Sequence, residues 1–366
     1  MHPRRPRFHL VEPFLLVAVC VASLAGTNRA GAQEHSPTVI FGGEESYPSL
    51  NIRGFSDIVY VTSDHPTDDN GFELGQFVLH LTSALAKKTA YFGELSATPR
   101  KDEFRFEVER SFIRYDYNDA FKISFGRYHT PIGYWNTAFH HGLWLQTTVR
   151  RPEQIRFGGE LVPVHFIGVI AEGRIPSGTA GLGYAAGLGN GRSEILSRAG
   201  DAGDPNSNRA WLVQLTARPI VPFGFEAGTS IYRDKLELSN GPSFGEWIGS
   251  AHMVWTGESP ELLSEYVVVR HEDKVTGTHY DSRAFYVQAA YRLPGEAQFA
   301  KPYARYEKID VASGEPIFSF PDIQVVTAGI RFDVIALAAF KAEYRNELRD
   351  GFGRVNTMLL QTSFTF

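Results

Sequence analysis

Apolar and polar residues alternate along most of the chain with a period of two. In the last eleven residues, NTMLLQTSFTF (356–366), apolar residues from Met358 to Phe366 share one parity, and mostly polar residues occupy the other. Because successive side chains of a strand point to opposite faces, this period predicts strands with one apolar and one polar face. AWLVQLTAR (210–218) and ALAAFKAEYRNE (336–347) repeat the pattern, and most of the polar positions of the second segment are charged.

Sixteen such segments follow one another from residue 50 to the C-terminus. A tilted strand needs roughly 9–11 residues to cross the hydrocarbon of a membrane, and these segments have about that length or slightly more. Seven short turns alternate with eight mostly longer loops, which is typical of an antiparallel barrel with turns at one end and loops at the other. The region 150–175 is the least regular, and RFGGELVPV could add a strand there. The predicted strands are 50–62, 72–85, 89–98, 104–117, 120–128, 163–174, 179–190, 209–218, 223–233, 246–256, 261–272, 279–292, 297–308, 321–332, 336–348 and 354–366.

These features predict an all-β fold, a transmembrane antiparallel β-barrel of 16 strands. Hydrocarbon offers no hydrogen-bond partner for backbone groups, so a sheet in a membrane must close on itself. On this interpretation the last strand pairs with the first, its apolar face contacts lipid, and Phe366 lies at the periplasmic interface. A secreted propeller or sandwich, whose strands also alternate, is the alternative. It explains less well the confinement of charge to one parity and the alternating connection lengths.

The N-terminus has the composition of a secretory signal peptide, predicted over residues 1–32. Arginines precede the apolar segment 13–26, and the small residues 30–32 form a cleavage site. We assign 33–49 to an N-terminal periplasmic lead-in and 50–366 to the barrel, and we expect export to the outer membrane of a Gram-negative cell. The only cysteine, Cys20, lies in the leader, so the exported part has no thiol chemistry.

Charge and hydropathy exclude several other classes of protein. The full chain has a net charge of −5, and the leader holds four arginines and one glutamate, so the exported part carries −8. An acidic chain without a basic tract has no surface for nucleic acid. No run of 18 apolar residues follows residue 32, so no transmembrane helix is predicted.

The leader, the sixteen-strand layout and the terminal phenylalanine resemble Gram-negative trimeric porins. More narrowly, ISFGRYHTPIGYWN (123–136) and GYAAGLGNGR (183–192) are similar to segments of the phosphate-selective porin O/P family. The resemblance implies a homotrimer embedded in outer-membrane lipid and lipopolysaccharide. It implies small hydrophilic solutes or anions as cargo, and it implies that Phe366 is the signal read by the barrel-assembly machinery. The acidic loop 63–71 is either simply solvated, or it binds divalent cations, as a bridge to lipopolysaccharide or at a calcium site.

The resemblance also implies that the third extracellular loop, 129–162, folds into the lumen and narrows it. This loop is the longest connection and is rich in aromatic residues. Such a composition suits a segment that packs on the barrel wall better than a solvated loop. The alternative is an outward loop that packs on a neighbouring subunit.

The polar faces of the predicted strands point into the lumen and line it with charges of both signs, eight basic and six acidic. The phosphate-selective family is expected to line its channel with many Arg and clustered Lys, so this mixed lining departs from its pattern and does not support high phosphate selectivity. The predicted lumen charges are Arg53, Arg105, Lys122, Lys301, Arg305, Arg331, Lys341, Arg345, Glu94, Glu107, Glu109, Glu226, Glu307 and Glu343.

Charged side chains on opposite walls of a narrowing create a transverse field that selects between ions. The long loop holds three arginines against Glu153 and Glu160, so we expect a mild anion preference. For each arginine the alternative is a salt bridge that holds the loop against the wall. The candidate constriction residues are Arg110, Arg114, Arg127, Arg150, Arg151, Arg156, Lys122, Glu107 and Glu109.

No catalytic site, cofactor or metal site is predicted. His129, His140 and His141 lie on one loop, but adjacent histidines do not easily face one ion, and no nearby carboxylate has ligand spacing. Ser250 and His252 share a parity, but toward the predicted lumen and without an evident orienting carboxylate, so no enzyme is expected.

The sequence therefore predicts a passive diffusion channel for small hydrophilic solutes with mild anion preference. A substrate-specific channel for phosphate, another small anion or a sugar is one alternative. A structural outer-membrane barrel with a plugged lumen is the other.

Overall fold

The chain forms one antiparallel sheet that closes into a barrel. A computed structural model describes residues 47–366 except 140, 194, 205, 207 and 238–240. The predicted signal peptide, 1–32, and nearly all of the lead-in lie outside the described residues. The strands are β1 (Ser49–Ser63), β2 (Gly71–Leu74), β3 (Phe77–Ala86), β4 (Thr89–Pro99), β5 (Phe104–Asn118), β6 (Phe121–His129), β7 (His165–Arg174), β8 (Leu182–Asn190), β9 (Ala210–Ala217), β10 (Phe225–Glu237), β11 (Ser243–Thr256), β12 (Glu261–Asp273), β13 (His279–Ala290), β14 (Ala300–Asp310), β15 (Ile323–Ile335), β16 (Ala338–Arg349) and β17 (Gly353–Thr365). A four-residue helix, α1 (Trp135–Ala138), lies between β6 and β7.

The prediction of sixteen strands is confirmed, with one strand divided into two pieces. Both β2 and β3 pair with β1, and together they cover the predicted strand 72–85. The break falls at Gly75 and Gln76, where Asp57 of β1 accepts the Gln76 backbone N–H at 3.0 Å. A Cβ on Gly75 would lie 2.1 Å from the Asp57 carboxylate, so only glycine fits there. The other predicted strand ends agree with the structure to within about four residues.

The two faces of each strand have the predicted polarity. On β17, Leu359, Gln361 and Ser363 are buried, whereas Met358 is half exposed on the outer face. On β16, Lys341, Glu343 and Arg345 point inward, so the interior of the barrel is charged. The outside of the barrel is apolar, whereas the inside holds charged and polar side chains together with a buried apolar cluster to which Val267 of β12 and Trp135 of the loop both belong.

The connections divide between the two ends of the barrel as predicted, but their lengths alternate less strictly. β10 continues to Glu237 and β11 begins at Ser243, so the connection between them is shorter than the predicted 234–245. At the other end, the connection between Ala290 and Ala300 is longer than the turn predicted there. The region 150–164 contains no strand among its described residues. Within the described part of the chain, no helix is long and apolar enough to cross a membrane.

The last residue takes part in the closing seam. β1 pairs with β17 in register from Phe55 opposite Thr365 to Ser63 opposite Thr357. Phe366 then adds two backbone hydrogen bonds with Gly54, at 2.8 and 3.0 Å. Its ring covers Gly54, where any Cβ would collide with it, and lies 6.0 Å from the Phe77 ring. Phe366 therefore extends the pairing of β1 with β17 by one residue beyond Thr365.

Deletion of Phe366 tests this seam. It removes both hydrogen bonds with Gly54, and chain ends without such partners fray. We expect the yield of heat-modifiable barrel to fall several-fold, measured by comparing unheated and boiled samples on a denaturing gel. Phe352→Ala, at an exposed position between β16 and β17, is the control and should fold normally. An unchanged folded yield after the deletion would contradict the role of Phe366 in closure.

Candidate functional site

The long loop between β6 and β7, residues 130–164, folds into the lumen, as the sequence resemblance implied. Its two ends are held together at one point of the wall. The Thr130 backbone N–H donates to the Val164 carbonyl at 3.0 Å, and the Asn136 side-chain amide donates to the Thr130 and Val164 carbonyls at 2.9 Å each. From this neck the loop crosses to the far wall, where the Trp135 indole is buried 5.9 Å from the Tyr286 ring.

Carboxylates of the far wall accept backbone N–H groups of the loop. This contact satisfies loop donors that have no partner within the loop and also compensates the buried carboxylates. Three glutamates act in this way. Glu265 of β12 accepts from Tyr134 and Trp135 at 2.9 and 2.7 Å, Glu343 of β16 accepts from Val149 and Arg150 at 2.7 and 3.2 Å, and Glu307 of β14 accepts from Glu153 at 2.6 Å.

Cations of the same wall donate to loop carbonyls. Lys341 donates to Leu143 and Thr148, the second at 3.1 Å, and Arg331 donates to Trp144 and Gln146 at 2.6 and 2.9 Å. In addition, Arg345 forms a salt bridge with Glu153 at 2.6 Å. Several of the predicted lumen charges on β14–β16 therefore hold the loop, and so does Glu265 of β12, which was not among the predicted lumen charges.

A cavity of about 530 Å³ lies between the loop and the opposite wall, formed by β1, β2, β4–β7 and β17. It also reaches Arg100 and Arg198, which belong to connections at the eight-loop end of the barrel. Five of the candidate constriction residues line it: Arg127, Arg150, Arg151, Glu107 and Glu109. Further charges of its lining are Asp57, Glu73, Arg105 and Asp201.

Two loop arginines on this cavity have different surroundings. Arg150 is exposed, and its backbone N–H, not its guanidinium, is bound by Glu343. Arg151 is buried, with its guanidinium 3.4 Å from the centre of the Phe157 ring. Burial lowers the pKa of Arg151 to about 9, against the opposing effect of the Glu109 carboxylate, so its charge persists at neutral pH. Of these two loop arginines, Arg150 is the one whose side chain is exposed at the cavity.

The other four candidates do not line this cavity. Arg110 pairs with Glu94 and lies over the Phe92 ring. Arg114 and Lys122 both approach Asp116, at 2.7 and 4.0 Å. In the loop itself, Arg156 lies 3.8 Å from Glu153. Their contribution to selectivity stays a prediction.

A β-bulge in β5 explains why Glu107, Glu109 and Arg110 all face inward despite their different parities. Arg110 pairs with Glu94, whereas Val108 pairs with Leu95, so Glu109 is an extra residue in β5. The extra residue shifts the alternation by one position. As a result, Arg110 faces inward as well as Glu109.

Three histidines and two glutamates meet where the loop touches β4–β7. Glu109 lies 3.3 Å from His141 and 2.9 Å from His165, and Glu94 lies 3.5 Å from His129. Spacing along the chain places no carboxylate beside these histidines, but the fold supplies carboxylates from β4 and β5. His140, the third histidine considered in the sequence, lies outside the described residues.

Ser250 and His252 have separate partners. The Ser250 hydroxyl contacts the Ser230 hydroxyl at 2.6 Å and accepts the Gly133 N–H at 3.2 Å. His252 lies 3.3 Å from Glu226, a carboxylate that the sequence did not place near it. The serine hydroxyl is thus engaged in holding the loop.

Comparison with known proteins identifies the architecture. No protein-family model and no curated protein matches the chain. Among solved structures, an anion-selective porin from Comamonas acidovorans aligns with a TM-score of 0.64 at 10% identity, over 87% of this chain and 100% of that one. The outer-membrane channel DcaP of Acinetobacter baumannii aligns at 0.61 and 12%, over 89% and 100%. The trimer form of OmpT, an outer membrane protein of Vibrio cholerae, aligns at 0.57 and 14%, over 87% and 99%. At these identities the likeness establishes that the chain has the fold of outer-membrane barrels.

Substitution of Glu343 tests the anchoring of the loop. Glu343→Ala leaves the Val149 and Arg150 N–H groups without their acceptor, which weakens loop attachment by about 1–3 kcal/mol. We expect trypsin to cleave the folded barrel after Arg150 about tenfold faster than in the wild type, because cleavage follows the population of the open loop. Glu272→Ala removes a strand carboxylate that pairs with Lys274 instead of the loop, and it should leave the rate unchanged. Equal rates in all three proteins would contradict the anchoring role.

Proposed function

We propose that the chain is an outer-membrane porin, a passive diffusion channel for small hydrophilic solutes. The observation that carries the proposal is the loop 130–164, which is held inside the barrel beside a charged cavity. A loop of this kind narrows a lumen without filling it, and the charges beside it act on solutes over a short path. The porins among the structural neighbours support the same function.

A location in the outer membrane is part of the proposal. The outward positions carry exposed large apolar residues such as Ile58, Phe125, Ile231, Val287 and Met358. Such a surface is unfavourable in water and suits hydrocarbon, and the closed sheet leaves no unpaired edge for lipid to contact. The predicted signal peptide provides the route of export.

We further propose a mild anion preference. The cavity lining holds six arginines, namely Arg100, Arg105, Arg127, Arg150, Arg151 and Arg198, against five carboxylates. Several of these charges are paired, such as Arg105 with Glu107 at 2.8 Å and Arg127 with Asp201. The interleaved pairs argue against a dedicated phosphate site, so the narrower phosphate-selective porin O/P resemblance stays a hypothesis. The exposed Arg150 contributes one positive charge to this small excess.

The proposed partners follow from the same function. We propose a homotrimer, in line with the trimer form of OmpT. The other proposed partners are outer-membrane lipid, lipopolysaccharide and the barrel-assembly machinery. In the acidic loop 63–71, Asp64 accepts hydrogen bonds from Asn356, and Asp68 accepts one from Ser63 at 2.7 Å. These two carboxylates are thus engaged within the chain, which favours the simply solvated loop.

One observation favours a plugged barrel as the second candidate. The loop touches opposite walls: Trp135 binds Glu265 of β12, whereas His141 contacts Gln76, beside β3, at 3.1 Å. A loop held at both sides closes more of the lumen than one held at a single wall. Conductance separates the two candidates.

Single-channel recording in a planar bilayer under a salt gradient tests the function. The wild type should give stepwise conductance with a reversal potential of anion-selective sign. Arg150→Glu should move the reversal potential toward cation selectivity, because it reverses the exposed charge on the cavity. Arg270→Glu, on the outer face of β12, changes net charge equally and should leave selectivity unchanged. A sealed bilayer with a folded barrel would favour the plug, and an unshifted potential would exclude Arg150 from the solute path.

A further inference from the structure

A cluster of buried imidazoles and carboxylates lies at the contact between the loop and the barrel wall. Its centre is formed by Glu94 of β4, His129 at the end of β6 and His141 of the loop, all three buried. Each offers one ligand atom, and these atoms lie within 4.8 Å of one another. These residues are separated along the chain and meet only because the loop folds inward.

The groups around the cluster orient it. Glu109 lies against both His141 and His165, at 3.3 and 2.9 Å, and His80 lies 3.0 Å from Glu94. On its other side, His141 Nδ1 approaches the Gln76 side-chain oxygen at 3.1 Å. Gln76 thus holds one nitrogen of His141, and Glu109 lies beside Nε2, the nitrogen left for an ion. An oxygen on the second nitrogen of an imidazole is typical of metal sites, where it sets the tautomer and direction of the ring.

We propose that Glu94, His129 and His141 bind one divalent transition-metal ion of the zinc type. Two imidazoles and a carboxylate form a ligand set suited to zinc, nickel or cobalt, and they leave a fourth position for water or for another nearby ligand. Bonds of about 2.0–2.2 Å place tetrahedral ligand atoms about 3.4 Å apart, so the widest present separation must close by about 1.4 Å.

Arg110 limits the affinity of this site. Its guanidinium is bonded to Glu94 and opposes a second positive charge beside it. Glu109 is close enough to compensate part of the added charge, since it touches His141 and His165 directly. The bulge in β5 that turns both Glu109 and Arg110 inward therefore determines how favourable the site is.

Metal binding has a structural consequence for the loop. Two ligands, Glu94 and His129, belong to wall strands, and the third, His141, belongs to the loop. A bound ion would attach the loop to the β4–β6 wall. This wall lies opposite the glutamates of β12–β16 that accept the loop backbone N–H groups. The effect on conductance rests on the proposed function, whereas the binding itself does not.

Equilibrium titration of refolded, tag-free protein in detergent with zinc chloride tests the site. We expect one zinc ion per chain by calorimetry, and a visible d–d spectrum of four-coordinate cobalt when cobalt chloride replaces zinc. His141→Ala should weaken binding at least tenfold and abolish the cobalt spectrum. His279→Ala, an exposed histidine on β13, is the matched control and should bind as the wild type does.

Glu94→Gln is the second variant, because it keeps the shape of the side chain and removes the charge of the ligand. Each variant is first shown to be a heat-modifiable barrel, so loss of binding is not loss of fold. Weaker binding in both Glu94→Gln and His141→Ala supports the site, whatever the conductance. No saturable zinc binding by the wild type, or wild-type affinity in both variants, would overturn it.

Discussion

Pairing of the first strand with the last is the constraint on which the rest of the structure depends. It leaves no free edge on a sheet of this size, and it defines an inside and an outside. With a defined inside and outside, each strand presents charged residues to the lumen and apolar residues to the exterior. A one-residue shift of register would exchange the two faces, so the register is fixed. The short contact between Phe366 and Gly54 places the end of the chain inside this arrangement.

Polar side chains inside the barrel hold the loop together with a buried apolar cluster, in which Trp135 of the loop packs with Val267 and Tyr286 of the wall. The loop inside it has little regular structure, so much of its backbone lacks partners of its own. Glu265, Glu343 and Glu307 supply acceptors, and Lys341 and Arg331 supply donors. Each of these five charges thereby contacts backbone dipoles, which avoids the cost of an isolated charge in a poorly hydrated place.

Most of the barrel could be predicted from the sequence because the period-two pattern is local and is repeated in every strand. The features that could not be predicted are single-residue departures from that pattern. The break at Gly75 and the extra residue Glu109 change the facing of their neighbours, and alternation alone does not signal either one. The partners of the loop also escaped prediction, since Trp135 and Glu265 are far apart in sequence. For the same reason Glu94 could not be placed beside His129 and His141 from spacing along the chain.

The neck formed by Thr130, Val164 and Asn136 has a consequence for how such a protein can change over evolutionary time. Because the loop leaves and rejoins the wall at one point, the distance between its ends does not depend on its length or sequence. Insertions, deletions and substitutions between residues 137 and 160 can therefore alter the contents of the lumen without shifting the register of β6 and β7. The barrel acts as a fixed frame, and the loop inside it is a replaceable insert through which one architecture can acquire new permeability.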